Sequence, residues 1–248
     1  MKKFVCLFLL LTIPAYAAEI KMSKNQILDN VTNKPIPNAK ITFPKENITT
    51  YTDSNGIFNL DATINDTSIM SVEKEGYRPY SVTVNDKVAV HPLVIGIEKS
   101  NVQDIVISSE MLHLGDDVFS ENSANSGEFK GKSIGPFYSK MFEIGQNIVN
   151  KKNYLVIGSI IGIDTLLART LNQNGITNSF ASPPEVYFNG KKIAEIQLNG
   201  DGQRIRLPNN LVRTGMNEIT IHTGHNLHQI SHVDYDDIEI MNLSIISE

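Results

Sequence analysis

The stretch that decides the fold is Glu185–His222, EVYFNGKKIAEIQLNGDGQRIRLPNNLVRTGMNEITIH. Val186, Tyr187 and Phe188 are β-formers, and Asn189-Gly190 follows at once. Asn-Gly tolerates the two positive φ angles of a type I′ turn, so a hairpin is predicted here. Lys191–Leu198 runs back with Ile193, Ile196 and Leu198 as its apolar positions. Asn199-Gly200-Asp201-Gly202 reads as a second turn and Gly215-Met216-Asn217 as a third. Ile205 and Leu207 alternate with charge before Pro208, and Ile219 and Ile221 alternate with Glu218, Thr220 and His222. Period-two alternation between turns predicts a β-sandwich.

The same pattern extends on both sides. Phe137–Ile144 and Tyr154–Ile161 read as buried strands, and Asp237–Ile245 as the last strand. The alternation of that last strand shifts phase between Ile240 and Met241, which predicts a bulge. Asp164–Gly175 fits a short helix with Asp164 as N-cap, Leu167 and Leu171 on one face and Gly175 as its stop; a strand and loop is the alternative. Val102–Ser108 begins this unit or bridges to it, and Ser120–Glu128 is a long polar loop of the kind that carries binding.

Upstream, short strands recur: Ile27–Asn30, Lys40–Phe43, Thr49–Thr52, Ile57–Leu60, Thr67–Val72 and Tyr80–Val84. Pro35 and Pro37 cannot donate to a ladder, so their segment belongs to an edge or loop. Asp53-Ser54-Asn55-Gly56 is a turn; it lacks the remaining ligands of a calcium loop, so Asp53 is expected to shape the hairpin. This is a second, smaller all-β unit.

The first seventeen residues form a separate object: Lys2 and Lys3, an apolar core from Phe4 to Ile13, Pro14, then Ala15-Tyr16-Ala17. They read as a cleaved signal peptide, too short in their apolar part to span a bilayer. Residues 18–99 and 100–248 are then the two domains of a periplasmic or secreted protein with no membrane span after cleavage. The chain has 22 basic and 27 acidic residues; losing Lys2 and Lys3 leaves 20 − 27 = −7. Scattered acidic charge argues against nucleic acid as a partner. Cys6, the only cysteine, leaves with the leader, which removes disulfides, cysteine nucleophiles and thiolate metal sites from consideration.

Two resemblances follow. KPIPNAKITF, TYTDSNGIFNLD and SVEKEGYRPYSVTV carry Pro35, Ile36, Asn38, Ala39, Thr52, Asp53, Gly56, Phe58, Gly76 and Tyr77. They resemble the carboxypeptidase regulatory-like domain, which implies a small transthyretin-like sandwich serving as a non-catalytic module. VYFNGKKIAEI, LPNNLVRTGMNEITI and DYDDIEIMNLSI resemble the galactose-binding-like jelly roll of carbohydrate-binding modules. The fold class expected is therefore all-β, a transthyretin-like sandwich followed by a jelly-roll sandwich.

Chemistry concentrates in two clusters. Asp116 and Asp117 open the second domain, and Asp234, Asp236, Asp237 and Glu239 close it. First and last strands of a jelly roll are neighbours, so these acids are expected to meet, and calcium favours such oxygen ligands. The resemblance allows a structural calcium on Asp116, Asp117, Asp234, Asp236 and Asp237; solvated loop charges are the alternative. His222, His225, His228 and His232 place four of the six histidines within eleven residues. Imidazoles suit zinc, but Gly224 and Asn226 make this a loop without fixed ring directions. No catalytic residue is assigned. Tryptophan is absent, so sugar stacking would fall to tyrosines: Tyr138 and Tyr154 are possible platforms, Tyr187 reads as cross-strand packing and Tyr235 as a ligand contact. The expected ligand residues are Tyr235, His225, Asn226 and His228. The functional expectation is a non-catalytic binder of carbohydrate; an adhesion protein binding another envelope protein and a metal-dependent hydrolase are the alternatives. A concave face with tyrosines and carboxylates would favour sugar, a flat apolar patch protein.

Overall fold

The computed structural model describes residues 24–60, 64, 67–85, 92–120, 122–124, 129–174 and 178–248. The predicted leader with Cys6, the helix stop Gly175 and residues 125–128 of the polar loop lie outside them.

The first unit is a sandwich. One sheet runs β3(Ile48–Tyr51), β2(Lys40–Phe43), β4(Ser68–Glu73), β5(Tyr80–Val84); opposite it lies a parallel pair, β1(Gln26–Asp29) and β6(Val94–Ile97). Ile27, Ile41, Phe43, Phe58, Met70, Val72, Val84 and Ile97 fill the space between. The expected strand Ile57–Leu60 shrinks to a single bridge between Gln26 and Ile57. Asp53 is the reason: its Oδ1 accepts the amides of both Asn55 and Ile57 at 2.8 Å, which extends the turn. Asp53 thus shapes the turn, with Gly56 at φ +70°.

The chain crosses to the second core between β6 and β7(Ile105–Ser108). Eight strands follow: β8(Leu112–Leu114), β9(Phe137–Ile144), β10(Asn153–Ile161), β11(Glu185–Phe188), β12(Lys191–Glu195), β13(Gly200–Arg206), β14(Gly215–His222) and β15(Ile238–Ser247). One sheet has the order β13-β10-β15, with β8 and β7 both on the far side of β15; the other has β12-β11-β14-β9. β7, β8, β10, β13 and β15 thus lie in one sheet and β9, β11, β12 and β14 in the other, and the chain crosses repeatedly between them. Inward residues of both sheets, among them Leu155, Ile157, Val186, Phe188, Ile219, Ile221, Ile240 and Leu243, form one core.

The hairpin at Asn189-Gly190 has φ angles of 49° and 74°, as a type I′ turn requires. Three expectations change. Gly200–Gly202 belongs to β13, facing β10, because the turn comes earlier, where Ile196 donates to the Pro184 carbonyl and the chain changes sheets. Gly215–Asn217 belongs to β14, and the buried Asn217 amide ties down the preceding loop through the carbonyls of Arg213 (2.7 Å) and Gly215 (2.9 Å). The helix, α1(Leu166–Thr170), is capped by Thr165, whose hydroxyl accepts the Ala168 amide at 3.1 Å; Asp164 points into the interior. Ala168 is its buried residue, while Leu167 and Leu171 are exposed. The helix stops on Asn172 at φ 55°, with Gln173 donating to Ala168 and Asn172 to Arg169, a Schellman closure.

The two sandwiches dock. β4 and β15 are buried on both faces. Ile69 meets Ile161 and Met241 in a small third cluster. Asp201 on β13 accepts the Thr83 amide (3.0 Å) and hydroxyl (2.8 Å) across the junction, and the Ser159 hydroxyl (2.7 Å). The bulge expected between Ile240 and Met241 falls later in the strand: Asn242 takes φ 59°, and the register against β7 shifts between Leu243 and Ser244. Asn242 faces Gly158, where a Cβ would stand 2.5 Å from the Ser81 hydroxyl of β5. The second sheet is locally reshaped where the first domain presses on it.

Candidate functional site

The start of β15 pairs with β8, so the two acidic groups meet at one rim, as the strand order requires. His113, the middle residue of β8, lies opposite Glu239 and turns away from the core. Its Nδ1 faces the Gly131 carbonyl at 2.6 Å and its Nε2 faces Asp237 Oδ1 at 2.8 Å. The Gly131 carbonyl accepts from Nδ1, and the Asp237 carboxyl pairs with Nε2. Burial acts to lower the His113 pKa, but the bonds to Asp237 and Gly131 and the charges of Asp237 and Glu239 outweigh it and raise the value. Asp237 also accepts the amides of Asp117 (3.1 Å) and Asp116 (3.5 Å). Gly115 makes that approach feasible: a Cβ there would lie 2.3 Å from the Asp237 carboxyl.

The remaining acids divide by what they touch. Asp116 accepts the amides of Tyr235 (2.8 Å) and Val118 (3.1 Å); burial raises its pKa and those amides oppose the rise. Asp117, at φ 59°, accepts the Ser133 amide at 3.0 Å. Asp234 Oδ2 accepts Asn226 Nδ2 at 2.8 Å and Asp236 Oδ2 accepts the Asp164 amide at 3.1 Å. Asp164 Oδ1 takes Arg169 Nε (3.2 Å) and Asn174 Nδ2 (3.0 Å). This leaves Asp164 Oδ2, Asp234 Oδ1 and Asp236 Oδ1 buried without a hydrogen-bond partner. Burial, then the neighbouring negative charge of Asp164, pushes Asp236 well above the ordinary carboxylate range. Burial likewise raises Asp164, against the pull of Arg169.

Among the described residues, the ligand atoms of His113, Asp117 and Asp237 lie within 4.8 Å of one another. The members of this trio are already engaged, His113 with the Gly131 carbonyl and Asp237, and Asp117 with the Ser133 amide. Asp164, Asp234 and Asp236 each keep a buried unpartnered oxygen of the kind a hard cation takes, but they form no such three-ligand group. Asp116 and Asp237 serve mainly as acceptors for loop amides.

The expected ligand residues part company. His225 is exposed, with Nδ1 3.1 Å from the Ser182 hydroxyl, and Tyr235 beside it is half-buried. His228 is exposed and meets Phe180 edge-on at 4.8 Å. Asn226 is only 3 % exposed. Its amide donates to Asn122 and Asp234, and its oxygen accepts the Ser179 hydroxyl and the His228 amide. It therefore belongs to the framework behind the rim and presents nothing to a ligand. His222 leaves the group altogether, lying on the sheet face against Phe137 and Tyr187. None of His222, His225, His228 and His232 enters a three-ligand cluster among the described residues. Leu227 and Ile230, between those histidines, and Val233, just after the last, are exposed.

Sequence reasoning missed His113 and Asp164 as members of this cluster. Glu239, expected among the closing acids, is 1 % exposed. Burial raises its pKa to about 7, against the opposing charges of His113 and Lys45.

Residues 24–107, the first sandwich and its link into β7, match the family described as the CarboxypepD_reg-like domain. No curated protein matches the chain. A solved structure from Bacteroides uniformis ATCC 8492, described as a "putative carbohydrate binding protein", is 11 % identical, with a TM-score of 0.21, over 90 % of this chain and 97 % of its own. Among the described residues no helix is long and apolar enough to cross a membrane.

Proposed function

We propose that this chain is an exported, non-catalytic binding protein that takes carbohydrate at the rim of its second sandwich, with calcium beneath the rim loops. The observation that carries the reading is that Asp164, Asp234 and Asp236 each keep one buried, unpartnered oxygen behind the exposed His225 and His228 and the half-buried Tyr235. Carboxylates buried together require a proton or a cation. A cation there would brace β15, α1 and the Thr223–Asp237 loop against one another. Sugar hydroxyls would then meet Tyr235 and the two imidazoles on a rigid support.

Calorimetric titration of the full chain with an oligosaccharide panel, with calcium and then with chelator, tests both parts. Calcium is expected to raise the melting temperature and sharpen sugar binding, and Asp236→Ala to abolish both effects. No heat with any sugar and no calcium-dependent shift in melting would end the proposal. A second reading, docking of another envelope protein, draws on the exposed Leu227, Ile230 and Val233. Sugar-independent capture of one envelope protein, lost in Ile230→Asp, would favour it. The hydrolase alternative asked for a buried pair of carboxylates or three converging histidines; Asp164 and Asp236 are such a pair, whereas no three histidines form a ligand group among the described residues.

A further inference from the structure

The outer face of the β12-β11-β14-β9 sheet is separate from that rim. The first sandwich docks on the other sheet, so this face meets solvent. Inward positions Val186, Phe188, Ile219 and Ile221 fill the core, and the alternate positions therefore point outward. Each strand contributes one member of a row: Phe137 from β9, His222 from β14, Tyr187 from β11 and Lys192 from β12. The Phe137 and His222 rings stack at 5.5 Å and 29°, and Tyr187 leans on His222 at 5.0 Å and 42°. Phe137 remains 53 % exposed. An apolar ring with half its surface in water, on the outside of a folded sheet, is unexplained by packing.

The polar groups around the row are held in place. Lys192 Nζ lies 2.6 Å from both Glu185 and Glu195, and the Tyr187 hydroxyl donates to Glu185. One step along the sheet, Glu218 accepts from Ser139 and Thr220 reaches the same hydroxyl. Carboxylates and hydroxyls beside exposed rings suit a ligand with apolar C–H faces and many O–H donors. Glu185, Glu195 and Glu218 would repel a polyanion.

We infer that this face is a second ligand site, specific for neutral glycans, with Phe137 and Tyr187 as the stacking contacts and Glu185, Glu195 and Lys192 as the hydroxyl contacts. It rests on the carbohydrate reading but on a different surface, and the two fail separately. The test is calorimetric titration of the full chain with cellohexaose, laminarihexaose and mannohexaose, and with a galacturonan hexamer as the anionic comparator. Binding of at least one neutral probe is expected, weakened about tenfold by Phe137→Ala or Tyr187→Ala, consistent with the worth of a ring contact. Phe137→Tyr, which keeps a ring, is expected to retain it, and unchanged melting of all variants shows that the fold is intact. Tyr235→Ala is expected to leave this binding unaltered. Binding lost in Tyr235→Ala yet unchanged in Phe137→Ala would overturn the face and leave the rim reading standing. Binding of the galacturonan alone, or of no probe, would also overturn it.

Discussion

At the scale of residues, the junction between the domains contains an acid and a base whose protonation favours the fold. Glu239 rises from 4.5 to about 7 in the folded chain. The folded state holds that proton more tightly than the unfolded chain, so stability falls as pH rises from 4.5 to about 7, by up to ~3 kcal/mol. Glu239→Gln is expected to raise the melting temperature at pH 8 and leave it nearly unchanged at pH 4.5 or below; equal gains at both pH values would refute the burial account. His113 acts in the same direction. Its folded pKa lies above 6.5, so its ion pair with Asp237 is fully present below 6.5 and is lost as pH rises through the folded value. Asp237→Ala strands a buried imidazolium, and a loss of about 3–5 kcal/mol in denaturant unfolding is the expected result. A loss under 1 kcal/mol would mean that water reaches the ring.

Among the elements, α1 shows how local rules compete. Asp164 and Thr165 are both cap-forming types, and sequence pattern favours the first. The interior claims Asp164 for Arg169, Asn174 and the acid cluster, so Thr165 caps. Thr165→Ala is expected to cost about 1 kcal/mol through the cap, and more through its lost bond to the Gln197 carbonyl at 2.6 Å. Chemical unfolding measures this, and a neutral result would return the cap to Asp164. The leucines of this helix deceived the period count because five residues make too little helix to bury a face. The Asn189-Gly190 hairpin was legible because its turn chemistry is local. Gly200–Gly202 looked like a turn for the same local reason, but partners on β10 pulled it into the ladder.

For the whole molecule, the docked sheets predict a single cooperative unfolding transition in calorimetry, since β4 and β15 each serve two packing layers. Asp201→Ala removes the acceptor that joins Thr83 to Ser159 and is expected to split or broaden that transition. Two independent transitions in the unaltered chain would contradict rigid docking. The polar junction also accounts for Asn242 and Gly158, whose oddities in the sheet have no meaning within the second domain alone.

The sequence by itself determined the all-β class, most strand positions and the meeting of the acids at the ends of β8 and β15. Each of these follows from period-two alternation, turn residues or strand order, all of which are local or topological. Only the tertiary structure decided which oxygens of those acids are spent. It buried Asn226 and Glu239, brought in His113 and Asp164 from separate segments, and carried His222 to the open sheet face. Those outcomes depend on burial and on partners many residues away, such as His113 and Asp237 across 124 positions. A carboxylate in solvent and one in the core have the same letter, and only packing tells them apart.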